Sequence, residues 1–91
     1  MVYVDKLLPC IPSREWPFRF YCHMVADSID ELLDFAIDEM KLRREWFKYQ
    51  EHSIPHFDLG VKNRIRAIEL GAKPINNHKL YELMRIYRGM S

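Results

Sequence analysis

The chain has 91 residues and a mass of 11.0 kDa, which predicts a single domain spanning residues 1–91. Hydrophobic residues make up 48% of the chain and charged residues 30%, proportions that exclude a disordered or low-complexity chain. The sequence has neither the ~18 consecutive apolar residues of a membrane span nor a signal peptide at its start. We therefore predict a cytoplasmic protein without membrane partners, in which Cys10 and Cys22 are reduced.

The charges are distributed unevenly along the chain. Residues 1–40 carry a net charge of −5 and residues 41–91 a net charge of +6, so the overall charge of +1 conceals two oppositely charged halves. Two interpretations stay open: the folded protein has an acidic face and a basic face, or the two halves neutralise each other where they pack.

Two strands are predicted in the first third of the chain. Residues 1–5 are mostly apolar, and residues 18–26 are rich in aromatic and β-branched side chains. Alternation along the second strand places Cys22 and His23 on opposite faces of the sheet. Three prolines interrupt the segment between the two strands, so we predict a loop there.

The first helix is predicted by its capping residues and its periodicity. Ser28, followed three residues later by Glu31, forms the pattern of a capping box. Apolar residues then recur at helical spacing as far as Met40. Acidic residues near the start also suit the positive end of the helix dipole. The pattern therefore predicts one helix from Ser28 to Met40 with a single buried face.

Short strands and helices alternate in the rest of the chain. The sequence predicts strands at residues 46–49 and 73–75, a loop at residues 50–59, and helices at residues 61–70 and 77–87. The resulting order, β-β-α-β-α-β-α, favours an α/β or α+β fold. In this fold a small mixed sheet of three to four short strands packs with three helices.

The last two helices carry specific expectations about burial and capping. The first of them is expected to bury Val61, Ile65 and Ile68, and to end at Gly71 as a C-terminal stop. The second is expected to begin with Asn77 as its N-cap.

A histidine, a carboxylate and three cations occur near the start of the second helix. His56 and Asp58 are two residues apart in an extended segment, and Lys62, Arg64 and Arg66 follow. A helix N-terminus favours anions, and histidine titrates near neutral pH. This set can hold a phosphate group or carry out acid–base chemistry on one. The alternative stays open that Asp58 caps the helix, His56 bonds a nearby carbonyl group and the cations are solvated.

A second polar set lies at the ends of the two predicted strands. Asp5 ends the first strand, His23 interrupts the apolar main strand, and Asp27 follows it. Ligand sites in layered folds tend to open at the carboxyl ends of strands. With His56 and Asp58, these side chains offer enough nitrogen and oxygen atoms for a divalent metal. Their spacing matches no known metal motif, so the sequence assigns no metal and no cofactor.

A basic and aromatic stretch is a candidate for binding nucleic acid. The candidates for stacking on a base are the aromatic residues Trp16, Trp46, Phe47 and Tyr49, mixed with the basic residues Arg43, Arg44 and Lys48. Single-stranded nucleic acid uses this combination for stacking and charge neutralisation. Aromatic residues in so short a chain are usually part of the core, however. The isoelectric point near 7.8 is also far from that of domains that bind nucleic acid through charge. Nucleic acid is therefore not the favoured partner.

Seven short motifs follow one another in a fixed order. They are Y-V-D, a tryptophan loop, H-M-V-A-D, E-L-L-D-F-A, W-F, H-F-D-L and a helix ending in G-A, and they begin at Tyr3, Trp16, His23, Glu31, Trp46, His56 and Arg66. The series resembles a small bacterial and phage family of domains of unknown function, with V-D, H-[LM]-x-A-D, E-L-x-x-F-A and H-[YF]-D-L motifs. The likeness covers residues 2–76. It departs from the family where Met40-Lys41-Leu42 replaces a glycine turn, and where the proline-rich loop is longer.

The resemblance carries over no established activity. It implies a bacterial or phage source, and it implies that the two polar sets belong to one recurring group. That group consists of Asp5, His23, Asp27, His56 and Asp58.

These observations predict a pocket that binds a phosphate-bearing small molecule such as a nucleotide. Whether the protein also hydrolyses this molecule is left open by the sequence. The candidate catalytic residues are His23, His56 and Asp58, with His56 as acid or base and Asp58 orienting it. The candidate ligand-binding residues are Asp5, Trp16, Asp27, Lys62, Arg64 and Arg66.

A non-enzymatic role is the competing hypothesis. A phage or bacterial interaction protein would bind a host protein through exposed aromatic residues such as Trp16, or would sequester a signalling nucleotide. Homodimerisation is compatible with so short a chain, although no residue pattern specifies it.

Overall fold

The computed structural model describes residues 1–50 and 53–89, which form five β-strands and three α-helices. The α+β fold is therefore confirmed, with more strands than the three to four predicted. In the described ranges, no helix is long and apolar enough to cross a membrane. The elements are β1 (Val2–Val4), β2 (Leu8–Pro9), β3 (Phe20–Ala26), α1 (Ile29–Leu33), β4 (Phe57–Leu59), α2 (Val61–Glu69), β5 (Lys73–Pro74) and α3 (Asn77–Gly89).

The central strand of the sheet is β3. Met24 pairs with Val4 of β1 on one edge and with Phe57 of β4 on the other, both antiparallel. Because β5 pairs in parallel with β1, the sheet is mixed. This arrangement surrounds the middle of β3 with neighbours on both edges.

The chain inserts one extra residue between β1 and β2. Val4 pairs with Met24, but Leu8, four residues later, pairs with Tyr21, only three residues away from Met24. The additional residue is a β-bulge at the segment that contains Asp5. A bulge disturbs the regular ladder of hydrogen bonds, and this disturbance lets the Asp5 side chain bond the backbone of β3, as described below.

The two faces of the sheet are covered differently. One face carries the main apolar core, to which α1, α2 and the segment after α1 contribute Leu32, Ala67 and Ala36. The other face has a smaller apolar cluster, in which Leu83 of α3 packs with residues such as Val25. The predicted alternation along β3 is correct, since Cys22 is fully buried in the main core while His23 belongs to the opposite face.

The predicted first helix forms, with two kinds of helical geometry. The Ser28 side chain caps α1 by accepting the backbone N–H of Glu31 at 3.2 Å. After α1 the chain continues as a π-helix over Asp34–Glu39. Lys41 then adopts a left-handed conformation with φ of 61°, so the helix cannot continue.

The prediction of the short strands was partly wrong. Residues 46–49 are not a strand, because Arg44–Trp46 form a 3-10 helix, and only Lys48 then makes an isolated bridge, to His56. The strand of this region is β4, inside the predicted loop at 50–59, of which residues 51–52 lie outside the described residues. A three-residue strand is too short to show, in the sequence, the alternation of apolar and polar residues that predicts a strand. β2 likewise lies in the predicted proline loop.

Two helix details also differ from the prediction. Val61 and Ile65 are exposed, because α2 turns Ala67 rather than these residues toward the sheet. The N-cap of α3 is Asn76 instead of Asn77, since its Oδ1 accepts the backbone N–H at position 79. The predicted stop at Gly71 is confirmed by its φ of 114°, which glycine adopts without strain.

Candidate functional site

Five polar side chains gather on the part of the second face next to the residues that α3 covers. They are Asp5, His23, Lys48, His56 and Asp58, which we call the polar cluster. His23 pairs with Asp58 across β3 and β4, and Lys48 pairs with His56 in the isolated bridge. Because His56 and Asp58 are two residues apart along one extended segment, their side chains share a face.

Asp5 and His23 form a doubly hydrogen-bonded pair. Asp5 Oδ1 accepts the backbone N–H of His23 at 2.6 Å, and Oδ2 lies 2.8 Å from the ring Nδ1. Asp5 is only 2% exposed, whereas the His23 side chain is 26% exposed. The hydrogen bond with Asp5 raises the pKa of His23 above its ordinary value, although burial opposes this shift.

The β-bulge explains why a carboxylate is buried at this position. In a regular antiparallel pair, the N–H of His23 would donate to the backbone carbonyl of Asp5. Here it donates to the Asp5 side chain instead, while the N–H of Asp5 still donates to the carbonyl of His23 at 3.1 Å. The Asp5 carbonyl accepts Nε of Arg64 at 3.0 Å. The polar groups of Asp5 thus all have partners, and its carboxylate is held against His23.

His56 is oriented by the backbone rather than by a carboxylate. Its Nδ1 lies 2.8 Å from the carbonyl oxygen of Ile54. Its ring meets the ring of His23 edge to face, with centroids 5.1 Å apart. Burial lowers the pKa of His56, although the Ile54 carbonyl opposes this shift. The sequence predicts that Asp58 orients His56. In the structure the Ile54 carbonyl makes the close contact with the ring, and the Asp58 carboxylate lies 3.5 Å from the other ring nitrogen, Nε2.

Asp58 is shared between His56 and Lys48. Its Oδ2 lies 2.6 Å from the Lys48 Nζ, while its Oδ1 faces His56. This role of Lys48 is not evident in the sequence, where the residue belongs to the basic and aromatic stretch. The signal is absent from the sequence, because only the pairing of residue 48 with residue 56 brings the lysine to the cluster.

Two of the three predicted cations of α2 donate hydrogen bonds to backbone carbonyls. Arg64 donates to the carbonyl of Asp5, as described above, and Arg66 donates to the carbonyl of Met40 at 2.9 Å. Lys62 is exposed in the first turn of the helix. Their role in binding a ligand stays a prediction.

Asp27 and Trp16 also lie outside the polar cluster. Asp27 follows the far end of β3, ~13 Å along the strand from His23 at the usual rise, and its carboxylate accepts the hydroxyl of Tyr3 at 3.1 Å. Trp16 is half-buried and packs edge to face on Phe18, with ring centroids 4.9 Å apart. The structure therefore groups four of the predicted site residues, Asp5, His23, His56 and Asp58.

Three members of the cluster can act together as metal ligands. His23, His56 and Asp58 each offer one ligand atom, and these atoms lie within 4.8 Å of one another. Two imidazoles and one carboxylate form a donor set suited to divalent transition metals. The sequence assigned no metal because residues 23, 56 and 58 show no motif spacing.

A depression of about 550 Å³ lies apart from the polar cluster. It is lined by α1, the π-helix and the start of β1, and its acidic side chains include Glu31, Asp34, Asp38 and Glu39. None of its lining residues belongs to the polar cluster.

The family model described as "Protein of unknown function (DUF4031)" matches residues 2–87. The chain therefore belongs to this family, and the resemblance to a domain family of unknown function is confirmed. Neither a curated protein nor a solved structure matches the chain significantly.

Proposed function

We propose that this protein binds a phosphate-bearing small molecule, such as a nucleotide, at the polar cluster and hydrolyses it. One observation carries the proposal: two imidazoles, a carboxylate and a lysine converge on one side of the sheet from separate parts of the chain. Proton transfer to and from oxygen, and stabilisation of the charge on a phosphoryl group, need these types of side chain.

The cluster is both accessible and preorganised. His23 remains partly exposed, so a small molecule can reach it, while buried Asp5 fixes its ring. His56 is fixed by the carbonyl of Ile54. Catalytic groups on strands with fixed rotamers lose little entropy when a substrate binds.

Lys48 is the cation best placed for an anionic group. Its Nζ contacts Asp58 from an exposed position at the rim of the cluster, and its long side chain can turn toward a bound phosphate. Arg64 and Arg66 make hydrogen bonds to backbone carbonyls, so Lys48 replaces them in this proposal as the main contact to phosphate.

The test is a hydrolysis screen with the purified protein. Nucleoside mono-, di- and triphosphates and p-nitrophenyl phosphate are incubated separately with the protein, and ³¹P NMR identifies each product. The proposal predicts conversion of at least one compound. His56→Asn should lower kcat by about 100-fold or more, the usual contribution of a positioned proton-transfer group.

The matched control is His78→Asn, because His78 is 83% exposed on α3, where it pairs with its helix neighbour Glu82. It should keep the wild-type rate. The hydrolysis proposal fails if every compound is recovered intact. Retained binding of an intact compound would then support the nucleotide-sequestering alternative.

A second candidate, docking of a host protein, is favoured by one observation. The loop between β2 and β3 exposes Ile11 to 90%, and the nearby Phe18 and Phe20 are also exposed. Apolar side chains that protrude from a loop are typical of anchors that insert into a partner. Ile11→Ser should then abolish capture of the partner while leaving hydrolysis of a phosphate compound unchanged.

A further inference from the structure

The contacts of the two histidines determine which ring atoms remain available. Nδ1 of His23 lies against a carboxylate, and Nδ1 of His56 lies against the carbonyl of Ile54. Both partners are acceptors, so each Nδ1 carries a hydrogen. In the neutral rings, Nε2 of each histidine therefore bears an unshared electron pair.

The electron pair on Nε2 of His56 faces the carboxylate of Asp58. Nε2 of His56 lies 3.5 Å from Asp58 Oδ1, which is too long for a good hydrogen bond. The ligand atoms of His23, His56 and Asp58 all lie within 4.8 Å of one another. Three electron-rich atoms so close together in a half-buried site repel one another, and either a proton or a metal ion between them relieves this repulsion.

We propose that His23, His56 and Asp58 bind a divalent transition-metal ion, with Zn²⁺ as the representative species. Coordination takes place through Nε2 of both histidines and Oδ1 of Asp58. This inference deepens the proposed function, because it names the cofactor of the same site. The histidines then act as ligands, rather than directly as acid and base.

The surroundings of each ligand support the assignment. Metal-binding histidines almost always donate their other ring N–H to a carboxylate or a backbone carbonyl, which fixes the tautomer and the ring. His23 and His56 have these two kinds of partner, Asp5 and Ile54. The remaining oxygen of Asp58 is held by Lys48. All three ligands are therefore oriented by a further contact.

The donor set predicts which cations bind. Imidazole nitrogen suits Zn²⁺ and Co²⁺, whereas Mg²⁺ and Ca²⁺ prefer all-oxygen sites. With bonds of about 2.0–2.2 Å to Zn²⁺, the ligand atoms must approach one another, which small rotations of the side chains allow. Three protein ligands leave a fourth position, where water or a phosphate oxygen can bind.

The experiment is a metal titration of the full chain after treatment with EDTA. Isothermal titration calorimetry measures Zn²⁺, Mg²⁺ and Ca²⁺ binding, and visible absorption follows Co²⁺. We expect one Zn²⁺ or Co²⁺ per chain, a tetrahedral or five-coordinate Co²⁺ spectrum, and no binding of Mg²⁺ or Ca²⁺ at this site.

The variants His23→Asn and His56→Asn remove Nε2 while keeping an amide N–H close to the position of Nδ1. Each should weaken metal binding by more than the ~10–100-fold that loss of an orienting contact costs, and Asp5→Asn should fall within that range. His78→Asn and the exposed Asp38→Asn are matched controls, and they should bind as the wild type does.

Circular dichroism and the melting temperature of each variant establish whether it folds. If a histidine variant does not fold, Asp58→Asn tests the site by replacing the third proposed ligand. Metal affinity that is unchanged in folded His56→Asn and Asp58→Asn would overturn the inference, as would the absence of Zn²⁺ binding. A protein that binds Zn²⁺ but converts no phosphate compound would contradict only the proposed function.

Discussion

Neighbouring residues of β3 have opposite roles. Cys22 and Met24 are fully buried in the main core, whereas His23 between them belongs to the polar cluster on the other face. Burial raises the pKa of the Cys22 thiol to about 12, while the Asp5 hydrogen bond raises the pKa of His23. One strand thus provides both core and site, and the rigidity of the core fixes the geometry of the polar side chains.

The same contrast holds for the helices. α1 and α2 contribute to the main core, whereas α3 packs on the smaller cluster that contains Tyr3 and Val25. His23, next to Val25 on the same strand, stays partly exposed, so the second face is not covered completely. The remaining surface of the second face is where the polar cluster meets solvent.

The largest loss of stability is expected for substitution of Phe57, and a much smaller loss is expected for its neighbour Asp58. Phe57 is fully buried in the main core, so Phe57→Ala should lower the free energy of unfolding by ~3–5 kcal/mol. Asp58→Asn, on the other face, should cost less than about 1 kcal/mol, because its ion pair with exposed Lys48 is partly solvated. Urea denaturation measures both changes. Equal losses would contradict the division of β4 into a core face and a site face.

An intermediate effect is expected at the buried carboxylate. Asp5→Asn should cost ~1–3 kcal/mol, because a charged acceptor of two hydrogen bonds becomes an amide. The pKa of His23 should fall toward its ordinary value of 6.5. NMR titration of the histidine ring protons in metal-free protein measures the shift.

The pH dependence of this loss follows from the sign of the shift. A raised pKa in the folded state stabilises the protein below about pH 6.5, and that contribution disappears as the pH rises through the folded-state pKa. The stability difference between wild type and Asp5→Asn should therefore be larger at about pH 6 than in alkaline solution. A difference independent of pH would show that the Asp5–His23 contact does not depend on charge.

The smallest effect is expected at Cys22, where the folded protein should show no reaction. Its burial and its pKa of about 12 keep the thiol protonated and inaccessible at neutral pH. Iodoacetamide should label only the partly exposed Cys10 in the native protein and both cysteines in urea. Mass spectrometry of peptides reads the labelling. Native labelling of Cys22 would show that the main core opens readily.

Much of the fold is predictable because it depends on local patterns. The alternation along β3 and the Ser28 cap each depend on residues that are close together in the sequence, and the structure confirms both. The short strands β2 and β4 are not predictable in this way. Their two or three residues are held by pairing with β3 rather than by their own propensity.

The site shows the same limit. The pairing of Asp5 with His23 depends on a one-residue bulge, and the approach of Lys48 depends on a bridge to His56. Both are contacts between distant residues, which spacing along the sequence cannot reveal. The group implied by the resemblance contains four side chains that the structure brings together, Asp5, His23, His56 and Asp58. It also contains Asp27, which the structure places at the far end of β3.

The most direct test of the metal site is X-ray diffraction from crystals grown with Zn²⁺, with data collected on both sides of the zinc absorption edge. We expect one anomalous peak at about 2.0–2.2 Å from Nε2 of His23, Nε2 of His56 and Oδ1 of Asp58. A map without a peak there, or with zinc only at an exposed pair such as His78 and Glu82, would contradict this expectation.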